Sequence, residues 1–205
     1  MKIMHITEFG NSVLRESARR LTVEEIKTQK IQQLIKNIRY TLTEQKLGVG
    51  LAAPQVGESL AVSVIAILPT RHRPEVEPFE QVIINPEITK TFGNRTQLWE
   101  GCISAGKSGL FAKTPRYKKI EAEFLDEHGK KHKQTFEGLP AHVVQHETDH
   151  LNGVLFMDHV KDTSTYMTMK EYKKQVRDKK KTEVAKTSSS AHNHKHTKGK
   201  KSERS

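Results

Sequence analysis

Six consecutive residues, Gln145-His146-Glu147-Thr148-Asp149-His150, carry a His-Glu-x-x-His pattern. Four residues is slightly more than one helical turn, so on a helix His146 and His150 project from one face and both imidazoles can reach the same transition metal. Glu147, one position on, falls beside such a metal, where a general base belongs. The chemistry implied is hydrolysis: a bound divalent metal brings the pKa of water from about 15.7 towards about 7. A catalytic site of this kind takes a third protein ligand. The continuation His-x-x-Gly-x-x-His is not met, because Phe156 stands where the last histidine would be. Glu171, the downstream glutamate at a suitable distance, lies in a Lys-rich stretch of solvated character. The remaining candidate is upstream: Cys102, the only cysteine, in Glu100-Gly101-Cys102-Ile103-Ser104.

The element that must carry the histidines reads as one helix over residues 139–153. Pro140 suits a first-turn position, where a missing N–H costs nothing, and Gly153 suits the left-handed residue just past the end. Towards the N-terminus, Thr22-x-x-Glu25 reads as a capping box opening a helix. Ile31, Leu34, Ile35, Ile38 and Leu42 then recur at helical spacing up to about Lys46, a stripe for core packing. Gly48-Val49-Gly50-Leu51-Ala52-Ala53-Pro54-Gln55-Val56-Gly57 is no helix; its glycines mark backbone that something approaches closely. It lacks the third glycine of a dinucleotide fingerprint at the right spacing. Residues 60–68 and 82–89 read as strands, the second ending near Gly93, and 105–109 as a flexible loop. Residues 118–125 and 131–136 pair around the turn 126–129.

One cysteine makes no internal disulfide, which fits a reducing cytoplasm. No apolar run approaches the roughly 20 residues of a membrane span, and the N-terminus carries no signal-like region. The formal charge of +11 is uneven: residues 179–205 hold nine Lys/Arg and two acids, a net +7, which leaves +4 for residues 1–178. Two parts are therefore expected, a catalytic domain over 1–178 and a basic, disordered tail over 179–205. The His192/His194/His196 alternation belongs to that tail and is given no catalytic role. Clustered Lys/Arg attract RNA phosphates, and a solvated extension is the other reading of the same composition.

Three segments, Gly48–Gln55, Glu100–Ser104 and Gln145–His150, together resemble the three motifs of peptide deformylase, in family order: Gly-φ-Gly-φ-Ala-Ala-Pro-Gln, Glu-Gly-Cys-φ-Ser and Gln-His-Glu-x-Asp-His. The resemblance covers about residues 13–158. It implies an α+β fold, with antiparallel β-sheets packed around a central metal-binding α-helix. It implies removal of the N-formyl group from new polypeptides, with release of formate, and, since such enzymes act during translation, docking of the basic tail on the ribosome as the alternative to a solvated extension. It implies Cys102, His146 and His150 as metal ligands, Fe2+ as the usual ion with Zn2+, Ni2+ or Co2+ as alternatives, and Glu147 as general acid/base. Gln55 and the backbone N–H of Ile103 would bind the carbonyl oxygen. An N-formylated peptide would lie as an extended strand beside Gly48-Val49-Gly50 and near Gly101. Val49, Leu139, His142 and Val143 are the candidates for a methionine pocket. Asp149 is expected in a supporting hydrogen bond. Two departures stand out: many relatives carry Val-Pro after the serine, where this chain has Ala105-Gly106, and Thr148 and His142 replace residues more often apolar or arginine. Lys107, Lys113 and Arg116 are the candidates for a basic substrate contact.

Two other classes compete. A zinc peptidase or a deacylase on other acyl groups predicts internal cleavage or acetyl release. A nucleic-acid-binding protein with a purely structural metal predicts a dispensable Glu147 and Gln55. Its fourth ligand is not evident, and the basic charge sits in the tail, so neither sequence-specific DNA binding nor membrane association is expected.

Overall fold

The computed structural model describes residues 1–45, 48–70 and 74–178. Its chain divides into two units, Met1–Tyr166 and Met167–Ser205. In the second, residues 169–178 are helical. The basic tail over 179–205, with its expected disorder and its alternating histidines, lies outside the described residues.

The first unit contains α1 (Val23–Ile26), α2 (Gln29–Glu44), β1 (Gly50–Ala52), β2 (Val62–Ile67), β3 (Phe79–Cys102), β4 (Leu110–Leu125), β5 (Lys131–Glu137) and α3 (Leu139–Leu151). The strands run antiparallel in the order β1-β2-β3-β4-β5. The fold is α+β, and the strands expected as several sheets share one hydrogen-bonded sheet. β2 shows how its two faces are used. Val62 and Val64 pack with Leu34, Ile35 and Ile38 of α2, whereas Ile65 and Ile67 pack with Ala141, Val143 and Val144 of α3. A strand covered on both faces reads as a continuous apolar run, which is why residues 60–68 carry no alternation.

The capping box forms as expected, with both arms between Thr22 and Glu25. The helix it opens is short, because Thr28 interrupts it. Thr28 Oγ1 donates to the Glu25 carbonyl at 2.6 Å and accepts the Ile31 N–H at 3.4 Å, starting α2 as a separate helix. The apolar stripe from Ile31 to Leu42 is buried.

β3 departs most from the sequence reading. The strand expected to end near Gly93 continues to Cys102, through register shifts at Ile84/Glu87, Ile88/Lys90 and Phe92/Arg95. Each bulge adds residues to one strand only and so breaks the two-residue period. Pro86 and Gly93 (φ 68°) fall within the first and last of them. Beyond the last shift the register is regular: Thr96 opposes Arg116, Leu98 opposes Thr114, Glu100 opposes Ala112 and Cys102 opposes Leu110. Alternation therefore sets Glu100, Cys102, Thr114 and Arg116 on one face of the ribbon.

α3 begins with a proline in its first turn and is capped by Asn152. Gly153 follows at φ 70°, and a Cβ there would lie 2.5 Å from the Arg15 carbonyl oxygen. Conformation and packing both require glycine at this position.

Candidate metal centre

α3 delivers His146 and His150 from one face, and β3 delivers Cys102 from its last position. Their ligating atoms all lie within 4.8 Å of one another. Cys102 Sγ and His150 Nε2 are 3.3 Å apart. Metal–ligand bonds of about 2.0–2.3 Å around a tetrahedral ion separate donor atoms by about 3.5 Å, so this pair is spaced for a shared ion. The imidazole rings of His146 and His150 meet edge to face, with centroids 4.8 Å apart.

The electrostatics also fit a cation. His146 Nδ1 donates to Glu100 Oε1 at 2.6 Å, which fixes its tautomer and leaves Nε2 as the ligating nitrogen. Burial alone would depress the His146 pKa, but hydrogen bonds and charge from Cys102 and Glu100 outweigh it and raise the pKa well above the usual histidine range. His150 is pushed the other way, by burial and by the charge of His146. His146 thus favours a positive charge between Cys102 and the Glu100 carboxylate, a role a divalent metal can take.

Glu100 is the hub around which this site is built. Arg116 binds both of its oxygens, at 2.9 and 2.7 Å, and Thr114 Oγ1 donates at 2.5 Å. His142 Nε2 lies 2.9 Å from Oε2. Burial would raise the Glu100 pKa, but Arg116, His142 and His146 together hold the carboxyl well below the usual range. Arg116 in turn reaches Asp149 at 2.6 Å, and Asp149 accepts from His159 at 2.9 Å. Arg116 is 4% exposed, so this candidate for a substrate contact is engaged within the protein. Asp149 makes the supporting contacts expected of it.

Glu147 is 2% exposed, and its Oε2 has no protein partner among the described residues. Burial raises its pKa to about 7. A Cβ on Gly50 would lie 2.2 Å from Glu147 Oε1, so at this glycine the closely approaching group is the chain's own carboxylate. Gly101 is likewise packed, against the ring of Phe111. Gly48 lies against Leu42.

Gln55 sits in the single 3-10 turn Ala53–Val56 that follows β1. Its Oε1 accepts the Ala52 N–H at 2.9 Å, which turns Nε2 towards Cys102 Sγ at 3.3 Å and Ser104 Oγ at 3.2 Å. Ile103 opens the 3-10 turn Ile103–Ala105 directly after Cys102; N–H groups at the start of such a turn have no partner within it. The N-terminal segment ties the two loops together, Thr7 N–H donating to the Gln55 carbonyl at 2.8 Å and Phe9 N–H to the Ser104 carbonyl at 2.9 Å. Of the pocket candidates, Val143 is buried in the core beneath α3, and Val49 and Leu139 are partly exposed against the same cluster. His142 is turned to Glu100 instead. Sequence reasoning gave no role to Glu100, although it stood two residues before Cys102, on the same strand face. It also gave none to Thr114, and nothing local marked Thr114 or Arg116 as partners of Glu100.

Residues 3–166 match the family model described as polypeptide deformylase. The chain is similar to "Peptide deformylase 2" of Nostoc sp., 38% identical over 181 residues that cover 85% of this chain and 96% of that one. It is 35% identical over 178 residues to the peptide deformylase of Aquifex aeolicus, covering 87% and 99%. Among solved structures, the Met-Ala-Ser-bound class I type b peptide deformylase of Acinetobacter baumannii superposes with a TM-score of 0.72 at 30% identity, over 78% of this chain and 99% of that one. A peptide deformylase from Legionella pneumophila does so with a TM-score of 0.66 at 32% identity, over 89% and 98%.

Proposed function

This chain belongs to the polypeptide deformylase family, metal-dependent hydrolases that remove the N-formyl group from newly made polypeptides with release of formate, and from that premise we propose how its own residues share the work. Cys102, His146 and His150 hold one divalent ion, and Fe2+ is the ion we assign. A thiolate is a soft ligand and two imidazoles suit late first-row metals, so Zn2+, Ni2+ and Co2+ can occupy the same donors. When bound, the ion supplies Lewis acidity that acidifies water and polarises the formyl carbonyl.

Glu147 is the general acid/base. Its carboxylate takes a proton from the attacking water as the new C–O bond forms at the formyl carbon. It then delivers that proton to the amine nitrogen as the C–N bond breaks, leaving a free N-terminal amine and formic acid, whose remaining O–H proton passes to solvent or to the amine to give formate. A pKa near 7 suits a group that must both accept and return a proton near neutrality. Negative charge grows on the formyl oxygen, where the Gln55 amide and the Ile103 N–H donate. The peptide lies along Gly48-Val49-Gly50, the segment that leads into β1, and beside Gly101, held by main-chain hydrogen bonds that tolerate any sequence. β1 ends the strand order of the sheet, so one of its edges is available for that pairing. Val49, Leu139, His142 and Val143 remain our assignment for the neighbourhood of the first side chain, although His142 contributes its aliphatic part only while its ring is bonded to Glu100.

The arrangement that carries this reading is the buried Glu147 carboxylate, seated on Gly50 beside a Cys/His/His cluster. The test is formate release from formyl-Met-Ala-Ser, measured anaerobically with Fe2+ or Ni2+. Wild type turns over; Glu147→Ala loses about 10²–10⁴ in kcat, and Cys102→Ala loses bound metal and activity together. An inert wild type, or Glu147→Ala at full rate, contradicts the assignment.

We further assign residues 1–178 to catalysis and the basic stretch 179–205 to ribosome docking in the cytoplasm. No helix among the described residues is long and apolar enough to cross a membrane. Trimming 179–205 should weaken ribosome co-sedimentation most at low salt; unchanged binding removes the docking role.

A further inference from the structure

The inner face of the β3–β4 ribbon serves the metal centre, and the outer face is built very differently. Residues 88–99 and 113–119 contain Lys90, Arg95, Lys113, Arg116, Lys118 and Lys119 and no acid. Arg116 is drawn inward to Glu100 and Asp149. The register places Arg95 opposite Tyr117, Trp99 opposite Lys113 and Phe92 opposite Lys119, so alternation sets these side chains on the outer face. The three rings are partly exposed. Phe92 and Trp99 belong to no core cluster, and Tyr117 only borders one.

Four cation–ring contacts fall on this ribbon. Lys90 Nζ lies 5.0 Å and Lys119 Nζ 5.8 Å from the Phe92 centroid. Arg95 stands 5.1 Å over Tyr117, and Lys113 5.4 Å over Trp99. The neighbouring part of the sheet shows what an ordinary solvated face does with lysine: Lys131 pairs with Glu123 at 2.7 Å and Lys133 with Glu121 at 3.1 Å. On the ribbon, Lys119 is shared with Glu137 at 3.1 Å, and Lys113 lies in the field of Asp162. From Trp99 to Phe92 the ribbon spans roughly 20 Å, a row of rings each with a cation beside it.

We propose that this outer face docks a single-stranded segment of RNA, with phosphates on Lys90, Arg95, Lys113 and Lys119 and unstacked bases on Phe92, Trp99 and Tyr117. Charge complementarity requires an anionic partner, and the interleaved rings select one that brings flat π faces as well. An acidic protein would use the charges and leave the rings idle. The choice of RNA over other single strands rests on the reading above, since new polypeptides emerge from a particle built largely of RNA. The metal centre faces the opposite side of the same two strands, so docking leaves it uncovered.

The test uses the full chain and a fluorescent single-stranded RNA of about 12 nucleotides, a length within the site sizes of such platforms. Binding is followed by anisotropy at several KCl concentrations, with formate release measured in parallel. Lys90→Glu/Arg95→Glu/Lys119→Glu should weaken binding at least about tenfold and reduce the slope of log K against log[salt] by about 2. Phe92→Ala should weaken it about fivefold or more, with the slope unchanged. A control of equal charge change elsewhere, Lys27→Glu/Lys30→Glu/Lys36→Glu, should have the smaller effect. Both ribbon variants should keep formate release from a short formyl-peptide, which also reports that they fold. Equal losses in the two triple variants, an unchanged Phe92→Ala, or competition by polyglutamate as strong as by unlabelled RNA would overturn the proposal. Failure of the wild type to release formate would overturn the enzymatic assignment and leave the RNA measurement standing.

Discussion

α2 and α3 lie on opposite faces of one sheet and spend their buried positions in opposite ways. α2 buries Ile31, Leu34, Ile35, Ile38 and Leu42, with Asn37 and Thr41 as its only buried polar side chains. α3 buries Gln145, Glu147, Thr148 and His150 beside its apolar residues. A buried polar group costs stability unless it is bonded, and Glu147 keeps one oxygen without a protein partner. The α2 face is what packing alone selects. The α3 face is what packing would select against, and the groups retained there are a carboxylate oxygen without a protein partner and two imidazoles gathered with a cysteine sulfur around one point.

The difference can be broken most severely at Glu100, where removing one carboxylate strands several groups. Glu100→Ala leaves Arg116 buried with Asp149 alone and frees His146 Nδ1. We expect about 3–5 kcal/mol less stability by denaturant unfolding and metal binding about 10–100-fold weaker by competition with a chelator. Ile38→Ala is the matching lesion on α2. It should cost about 2–5 kcal/mol, while the folded fraction keeps its kcat and its metal. A loss of kcat in folded Ile38→Ala would show that the two faces are not separable.

The pH dependence sharpens the same contrast. Glu147 titrates near 7 in the folded protein and near 4.5 unfolded. Between those values the folded state holds a proton that the unfolded chain has released. This group's contribution is therefore complete below about 4.5 and is lost as pH rises through about 7, a change of about 3 kcal/mol. His150, held neutral, acts in the other direction below the usual histidine pKa. For that reason the informative quantity is a difference. Metal-free wild type minus metal-free Glu147→Gln should decline from pH 5 to pH 7.5, and a flat difference would mean that Glu147 is not buried as described. No counterpart exists on α2.

Much of the α3 side is readable from sequence because its chemistry is local. His146, Glu147 and His150 are fixed by helical spacing, Pro140 and Gly153 mark the helix ends, and the single cysteine supplies the thiol. What could not be read is what depends on distant pairing. Bulges at Ile84/Glu87, Ile88/Lys90 and Phe92/Arg95 erase the period of β3, so its run to Cys102 looks like separate pieces. Pro115 within β4 weakens the strand signal there. Arg116 looks like one basic residue among several until the register sets it on the same face as Glu100. His142 faces Glu100 because one helical turn separates it from His146 (the same spacing that pairs His146 with His150), yet only the position of β3 shows what it meets. Gly50 was legible as a close approach, but the identity of the approaching group was not.

Whether sulfur from β3 and two imidazoles from α3 share one ion is tested most directly with Co2+ added anaerobically to the full chain. Wild type should bind one equivalent and develop a near-ultraviolet thiolate-to-cobalt charge-transfer band. Cys102→Ser should lose that band, and His150→Ala should weaken binding severely. One equivalent of cobalt bound without the band in wild type, or a band that survives Cys102→Ser, would contradict the shared centre.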